Sequence, residues 1–201
     1  MTGEEIDEAE ADAEQLQRMA GAFAEEGIRT RELARRLEVE IVRAFGIRLA
    51  MRREAELSRI RGRWTIHLFQ KMTPEREAWI IGHELGHYLF RVRGSRPANE
   101  ERRADAIGAA LVAPRALFGA AAKRIGHRVH LLAQMFETTQ SLALLRIGEV
   151  TGRPVLLLRS EPVARGAPFE WSDAPLSLPR SLAHPIKVDG GLGMMADRWA
   201  A

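Results

Sequence analysis

Apolar residues recur at helical spacing over two stretches near the start of the chain. The first runs through Leu16, Met19, Ala20 and Phe23 behind an acidic head and pauses at Glu26-Gly27. The second, Thr30 to Phe45, repeats Leu33, Leu37, Ile41, Val42 and Phe45 and stops at Gly46, which predicts one amphipathic helix. Two alternating stretches follow, Ile47 to Met51 and Trp64 to Phe69; both read as strands, separated by an Arg-rich segment containing Gly62. Thr73-Pro74-Glu75 is a helix start, with Thr as cap and Pro in the first helical position. The helix it opens passes through Trp79, Ile80, Ile81, Leu85 and Leu89 to about Phe90, and Gly94-Ser95-Arg96-Pro97 breaks it. A further helix is expected from near Ala98 to about Val112, another after Pro114, and two short ones over residues 129–150 split around Thr138-Thr139. Pro154 to Arg159 reads as a buried strand. Beyond it the chain turns Pro- and Gly-rich, which predicts a loop-dominated tail.

A chain of 201 residues can bury a core without staples, and one compact domain with extensions is expected. It has no cysteine, which excludes disulfides, thiolate metal sites and cysteine nucleophiles, so a transition metal would have to be held by His, Asp and Glu. No run approaches the roughly 18–20 apolar residues that cross a bilayer. The acidic N-terminus lacks the basic and then apolar pattern of a signal peptide, so a cytoplasmic location is expected and no membrane partner. The net charge of +3 is unevenly spread: Glu4, Glu5, Asp7, Glu8, Glu10, Asp12 and Glu14 carry no intervening base. Residues 43–63 hold seven arginines (43, 48, 52, 53, 59, 61 and 63) against two glutamates. Such a stripe could face phosphates. The segment Gln140 to Arg146, which would have to read base edges, is mostly apolar, and direct nucleic-acid binding is not expected.

The informative segment is His83-Glu84-Leu85-Gly86-His87. Residues four apart on a helix return to one face, so both imidazoles can reach one ion, while Glu84 sits displaced around the helix and can reach a water on that ion. The helix is apolar around them, and polar groups in such a place need partners. A hydrolytic zinc needs a third protein ligand. Candidates are Glu100, Glu101 and Asp105. Glu101 and Asp105 share a helical face, which assigns Glu101 as the ligand and Asp105 as the acceptor for a ligand histidine's other N–H. Glu100 points about 100° away and is expected in solvent. Ala104, Gly108, Ala109 and Ala110 would let this helix pack closely on the first. His127 and His130 are candidates for stabilising an oxyanion. Tyr88 is read as core packing, and His67 and His184 as structural.

HELGHYLF followed by ERRADAIGAALVAP resembles the ImmA/IrrE family of metallo-endopeptidases, over roughly residues 40–158. The resemblance implies an α+β fold: a mostly helical, zincin-like minimal core with a short antiparallel or mixed sheet and a small helix-turn-helix-like subdomain. It implies Zn2+ held by His83, His87 and Glu101, with Glu84 as general base. Residues 1–28 would then be an acidic helical extension, 29–160 the metallopeptidase domain with the helix-turn-helix-like part at 129–150, and 161–201 the tail. Family members of known function cleave a helix-turn-helix repressor, releasing stress-response or mobile-element genes, and the resemblance implies such a protein substrate here. Asp105 stands where Asn is common, Arg103 where Glu is frequent, and Gly108 where Ala is frequent. The rival readings are a zinc-containing module that binds DNA or a repressor without cutting it, and a toxin–antitoxin component.

Overall fold

The computed structural model describes residues 3–22, 29–44 and 53–152. The strands expected at Ile47–Met51 and Pro154–Arg159, His184 and the Pro/Gly-rich tail lie outside the described residues. In chain order the elements are α1 (Gly3–Met19), α2 (Thr30–Arg36), β1 (Glu40–Arg43), β2 (Ala55–Ile60), β3 (Arg63–Leu68), α3 (Pro74–Arg93), α4 (Glu100–Val112), α5 (Arg115–Ile125), α6 (Val129–Met135) and α7 (Gln140–Thr151). Helices with one small mixed sheet make this an α+β fold.

The expected Thr30–Phe45 helix is corrected. α2 ends at Arg36, Leu37 caps it, and Glu38 takes a left-handed φ of 56° that turns the chain. Ile41 and Val42 then enter β1, where they pair in parallel with Ile66 and His67. β-branched residues fit a strand at least as well as a helix, and a neighbouring strand decides between the two. The Arg-rich segment, unassigned from sequence, contains β2, which pairs antiparallel with β3 across the two-residue turn Arg61-Gly62. The strand order is β1-β3-β2. β3 is therefore the central strand, and β2 is an edge.

The edge has a defined polarity. Phe69 N–H donates to Glu54 C=O at 2.9 Å, so 54/69, 56/67 and 58/65 are the hydrogen-bonded pairs. Alternation then points the main-chain groups of Ala55, Leu57 and Arg59 outward, away from β3.

α3 begins and ends on local signals. The Thr73 side chain accepts from Arg76 N–H at 3.3 Å, and Pro74 occupies the first turn. Gly94, at φ 65°, closes the far end, with Ser95 N–H returning to Phe90 C=O at 3.0 Å. One apolar cluster gathers Leu16 and Ala13 of α1, Leu33 of α2, Ile66 and Leu68 of β3, Ile81, Leu85 and Leu89 of α3 and Ile107 of α4. A second gathers Phe118, Ala122, Leu132, Ala143 and Ile147 on α5–α7. In α7, Leu142, Ala143 and Arg146 of the 140–146 segment are buried. Tyr88 packs in the first cluster, edge-on to Trp64 at 5.9 Å between ring centres. His67 bonds Ser58 Oγ across the sheet at 2.9 Å.

What positions the site is the contact between α3 and α4. A Cβ on Gly82 would lie 3.0 Å from Gly108 Cα, and one on Gly86 would lie 3.0 Å from Ala104 Cα. A Cβ on Gly108 would lie 2.9 Å from the His83 backbone nitrogen. The backbones meet with nothing larger than the Ala104 methyl at the contact. Gly108→Val should therefore push the helices apart, costing about 1–3 kcal/mol of stability as overpacked cores do. A urea titration followed by circular dichroism measures this; an unchanged midpoint would show that the contact is not tight.

Candidate metal centre

His83 and His87 stand one turn apart on α3, and Glu101 comes from the first turn of α4. Their donor atoms converge. The two Nε2 atoms are 3.1 Å apart, and Glu101 Oε2 lies 3.5 Å from His83 Nε2 and 3.6 Å from His87 Nε2. Tetrahedral ligands bound at about 2.0–2.1 Å stand roughly 3.3–3.4 Å from one another, so the three atoms already have the spacing of one coordination face. His83, His87 and Glu101 form the one such group among the described residues, and they could hold a metal ion.

The outer nitrogens explain why the inner ones converge. His83 Nδ1 lies 2.8 Å from Asp105 Oδ1, and His87 Nδ1 lies 2.8 Å from Glu100 Oε1. A carboxylate beside Nδ1 makes that nitrogen the donor and leaves Nε2 with its lone pair. Two lone pairs and a carboxylate oxygen facing one another repel unless a cation lies between them. The donor set therefore fits a divalent ion.

The two supporting carboxylates differ. Asp105 is exposed, whereas the Glu100 side chain is 11 % exposed and also pairs with Arg91 at 3.0 Å and Arg96 at 2.8 Å. The expectation that Glu100 points into solvent is thus corrected. Glu100 is the first residue of α4, and helical phase alone does not show that α3 and the α3–α4 connection close over it. Burial works to raise its pKa, but the bonds from His87 and Arg96 and the charge of Arg91 leave its carboxyl below the usual range. It stays ionised beside His87. The usable sequence signal was the demand of the second imidazole for its own acceptor, together with Arg96 four residues before Glu100.

Glu84 is buried on the side of α3 that faces β2. Burial pushes its pKa up, while His83, His87 and the main-chain N–H of Leu57 draw it back down. A carboxylate drawn toward neutral is suited to take and return a proton near pH 7. Leu57 is one of the residues whose main-chain groups point outward from β2, so the strand edge overhangs this glutamate. Trp79, one turn before His83, lies 5.6 Å from its ring, with Arg76 stacked on the indole at 4.4 Å. His127 lies in the α5–α6 connection and His130 on the exposed side of α6; the structure brings neither into the group of converging donors.

Two imidazoles four residues apart on one helix, a glutamate from the next helix and a buried carboxylate beside them define a metallopeptidase-like centre. The IrrE N-terminal-like domain of the peptidase M78 family matches residues 42–147, more than half of the chain, and the protein belongs to that family. No curated protein matches it. Among the described residues, no single helix is long and apolar enough to cross a membrane.

Glu100→Ala and Asp105→Ala should each weaken metal binding about 10- to 100-fold, as loss of a ligand's hydrogen-bond partner does. Glu100, the more covered of the two, should cost more than Asp105. Competition with a chromogenic chelator reads both affinities, and equal wild-type values would show that these carboxylates do not orient the imidazoles.

Proposed function

We propose that the protein is a zinc-dependent endopeptidase that cuts a protein substrate, a helix-turn-helix transcriptional repressor, and so regulates stress or mobile-element genes. The observation that carries the peptidase reading is the convergence of His83, His87 and Glu101 beside a buried Glu84. Two imidazoles and one carboxylate suit zinc among the available ions. When bound there, zinc would supply Lewis acidity to an attacking water and to the scissile carbonyl. The chain's own residues do the rest. Glu84 accepts the water's proton and passes it to the departing amine. Asp105 and Glu100 hold the imidazoles in the required tautomer. The outward main-chain groups of β2 can pair with an extended peptide and lay its carbonyl near Glu84, whereas β3 is enclosed by its neighbours. The repressor as substrate is supported by the resemblance of the HELGH and ERRADAIGAALVAP segments to the ImmA/IrrE family.

Glu84→Gln should retain zinc and lose cleavage by about 10^2- to 10^4-fold, the usual contribution of a general base. Elemental analysis of the purified variant checks the metal. Mass spectrometry of a candidate repressor incubated with wild type and variant checks the cut. A variant that cuts at the wild-type rate would exclude the mechanism. A wild-type protein that holds zinc and binds the repressor without cutting it would instead favour the non-proteolytic reading.

A further inference from the structure

Most arginines of the described residues are matched by carboxylates. Arg31 and Arg43 share Glu77, Arg76 takes Glu54, Arg91 and Arg96 share Glu100, and Arg93 and Arg103 both hold Asp12. The tip of the β2–β3 hairpin breaks this pattern. Residues 59–63 are all exposed, and none of Arg59, Arg61 and Arg63 has a carboxylate partner among the described residues.

The tip is also held in shape. Arg61 and Gly62 have φ values of 48° and 84°, the left-handed pair of a tight hairpin turn. Asn or Gly adopts the first of these positions at less cost than Arg does. Arg59 Nε donates to Gly62 C=O at 3.2 Å, and its guanidinium lies over Trp64 at 5.5 Å. Exposed cations without a carboxylate partner on a turn of this geometry can bind an anion.

The position of the tip says which anion. β2 and α3 advance together: Glu54 meets Arg76, Leu57 meets Glu84, and Trp64, the cross-strand partner of Arg59, meets Tyr88. Arg59 follows Leu57 by two residues, about 7 Å along the strand at roughly 3.3 Å per residue, and Arg61 lies in the turn just past the end of β2. We propose that the hairpin tip docks an acidic stretch of the polypeptide substrate, placed two to four residues to one side of the bond that Glu84 serves. The proposal rests on the peptidase reading for its register. Guanidinium forks match carboxylates in geometry. A duplex would need a basic surface that follows its backbone, whereas these charges are gathered in five residues and, among the described residues, most other arginines are matched by carboxylates, with Arg53, Arg124 and Arg128 the exceptions.

The test uses the full chain, wild type and Arg59→Gln/Arg61→Asn/Arg63→Gln, against fluorogenic peptides differing only in residues two to four on either side of the cleaved bond, Glu or Ser. Wild type should prefer the acidic peptide on one side by about 10-fold in kcat/KM, mainly through KM, as three exposed ion pairs would provide. That ratio should fall toward one in the variant and in 0.5 M salt. Equal cleavage of both peptides by wild type, or a preference that survives in the variant, overturns the proposal. Should the triple variant misfold, Arg59→Gln and Arg63→Gln alone should each lower the ratio by about two- to threefold. Fluorescence anisotropy of the same peptides on Glu84→Gln protein reads docking without turnover. Absence of any cleavage with the binding preference intact would count against the peptidase reading alone, whereas loss of that preference would count against the tip. Tighter binding of a labelled duplex than of the acidic peptide, lost in the triple variant, would assign the tip to nucleic acid and also overturn the proposal.

Discussion

Because Gly82 and Gly86 of α3 meet Gly108 and Ala104 of α4 with nothing larger than the Ala104 methyl at the contact, the two helices approach backbone to backbone. The reach of a histidine from one helix to a carboxylate from the other follows from that contact. With a larger residue at any of these positions, Glu101 would stand off from His83 and His87, and Asp105 and Glu100 would leave the imidazoles' outer nitrogens. Five polar side chains on two helices therefore depend on four small ones. The apolar surface around them, Ile81, Leu85 and Leu89 on one helix and Ile107 on the other, supplies the burial that holds the pair together.

Charge is arranged around this core in matched sets. The acidic helix α1 buries Ile6, Ala9, Ala13 and Leu16 and turns its acids onto arginines of four other helices: Asp7 to Arg115, Glu8 to Arg103, Asp12 to Arg93 and Arg103, and Glu10 to Arg146. Exposed pairs such as Asp7–Arg115 add little stability. Arg146 is different, at 2 % exposed. Its guanidinium donates to the Ala113 carbonyl at the end of α4 and meets Glu10 and Glu149, which ties α1, α4 and α7 at one point. A lysine could not divide itself among those acceptors in one plane. The high Arg content thus has a structural use here, whatever its compositional origin. Against this background of mostly matched arginines the hairpin tip gathers three without a carboxylate partner among the described residues.

Features carried by a single segment were legible in the chain, and features that need two were not. The cap and first-turn proline of α3 and the same-face placement of His83 and His87 are local, as is the pairing of Glu101 with Asp105 on α4; all follow from one helical period. β1 was misread because Ile41 and Val42 suit either a helix or a strand, and the choice belongs to β3, more than twenty residues away. β2 was missed because Arg-rich alternation looks like a solvated stretch until its partner strand is known. Glu100 was misplaced because its surroundings come from His87, Arg91 and Arg96, none of them on its own helix.

The amino-acid order by itself determined the start and stop signals of α3, the exclusion of cysteine chemistry, and a pair of imidazoles that any helix must present on one face. Those properties depend on covalent spacing and 3.6-residue periodicity. Only the folded chain decided which strand became the edge above Glu84, which carboxylate serves which imidazole, and which arginines remain without a counter-charge. These are outcomes of long-range packing, where a residue's neighbours are set by the closure of the whole core and not by its position along the chain.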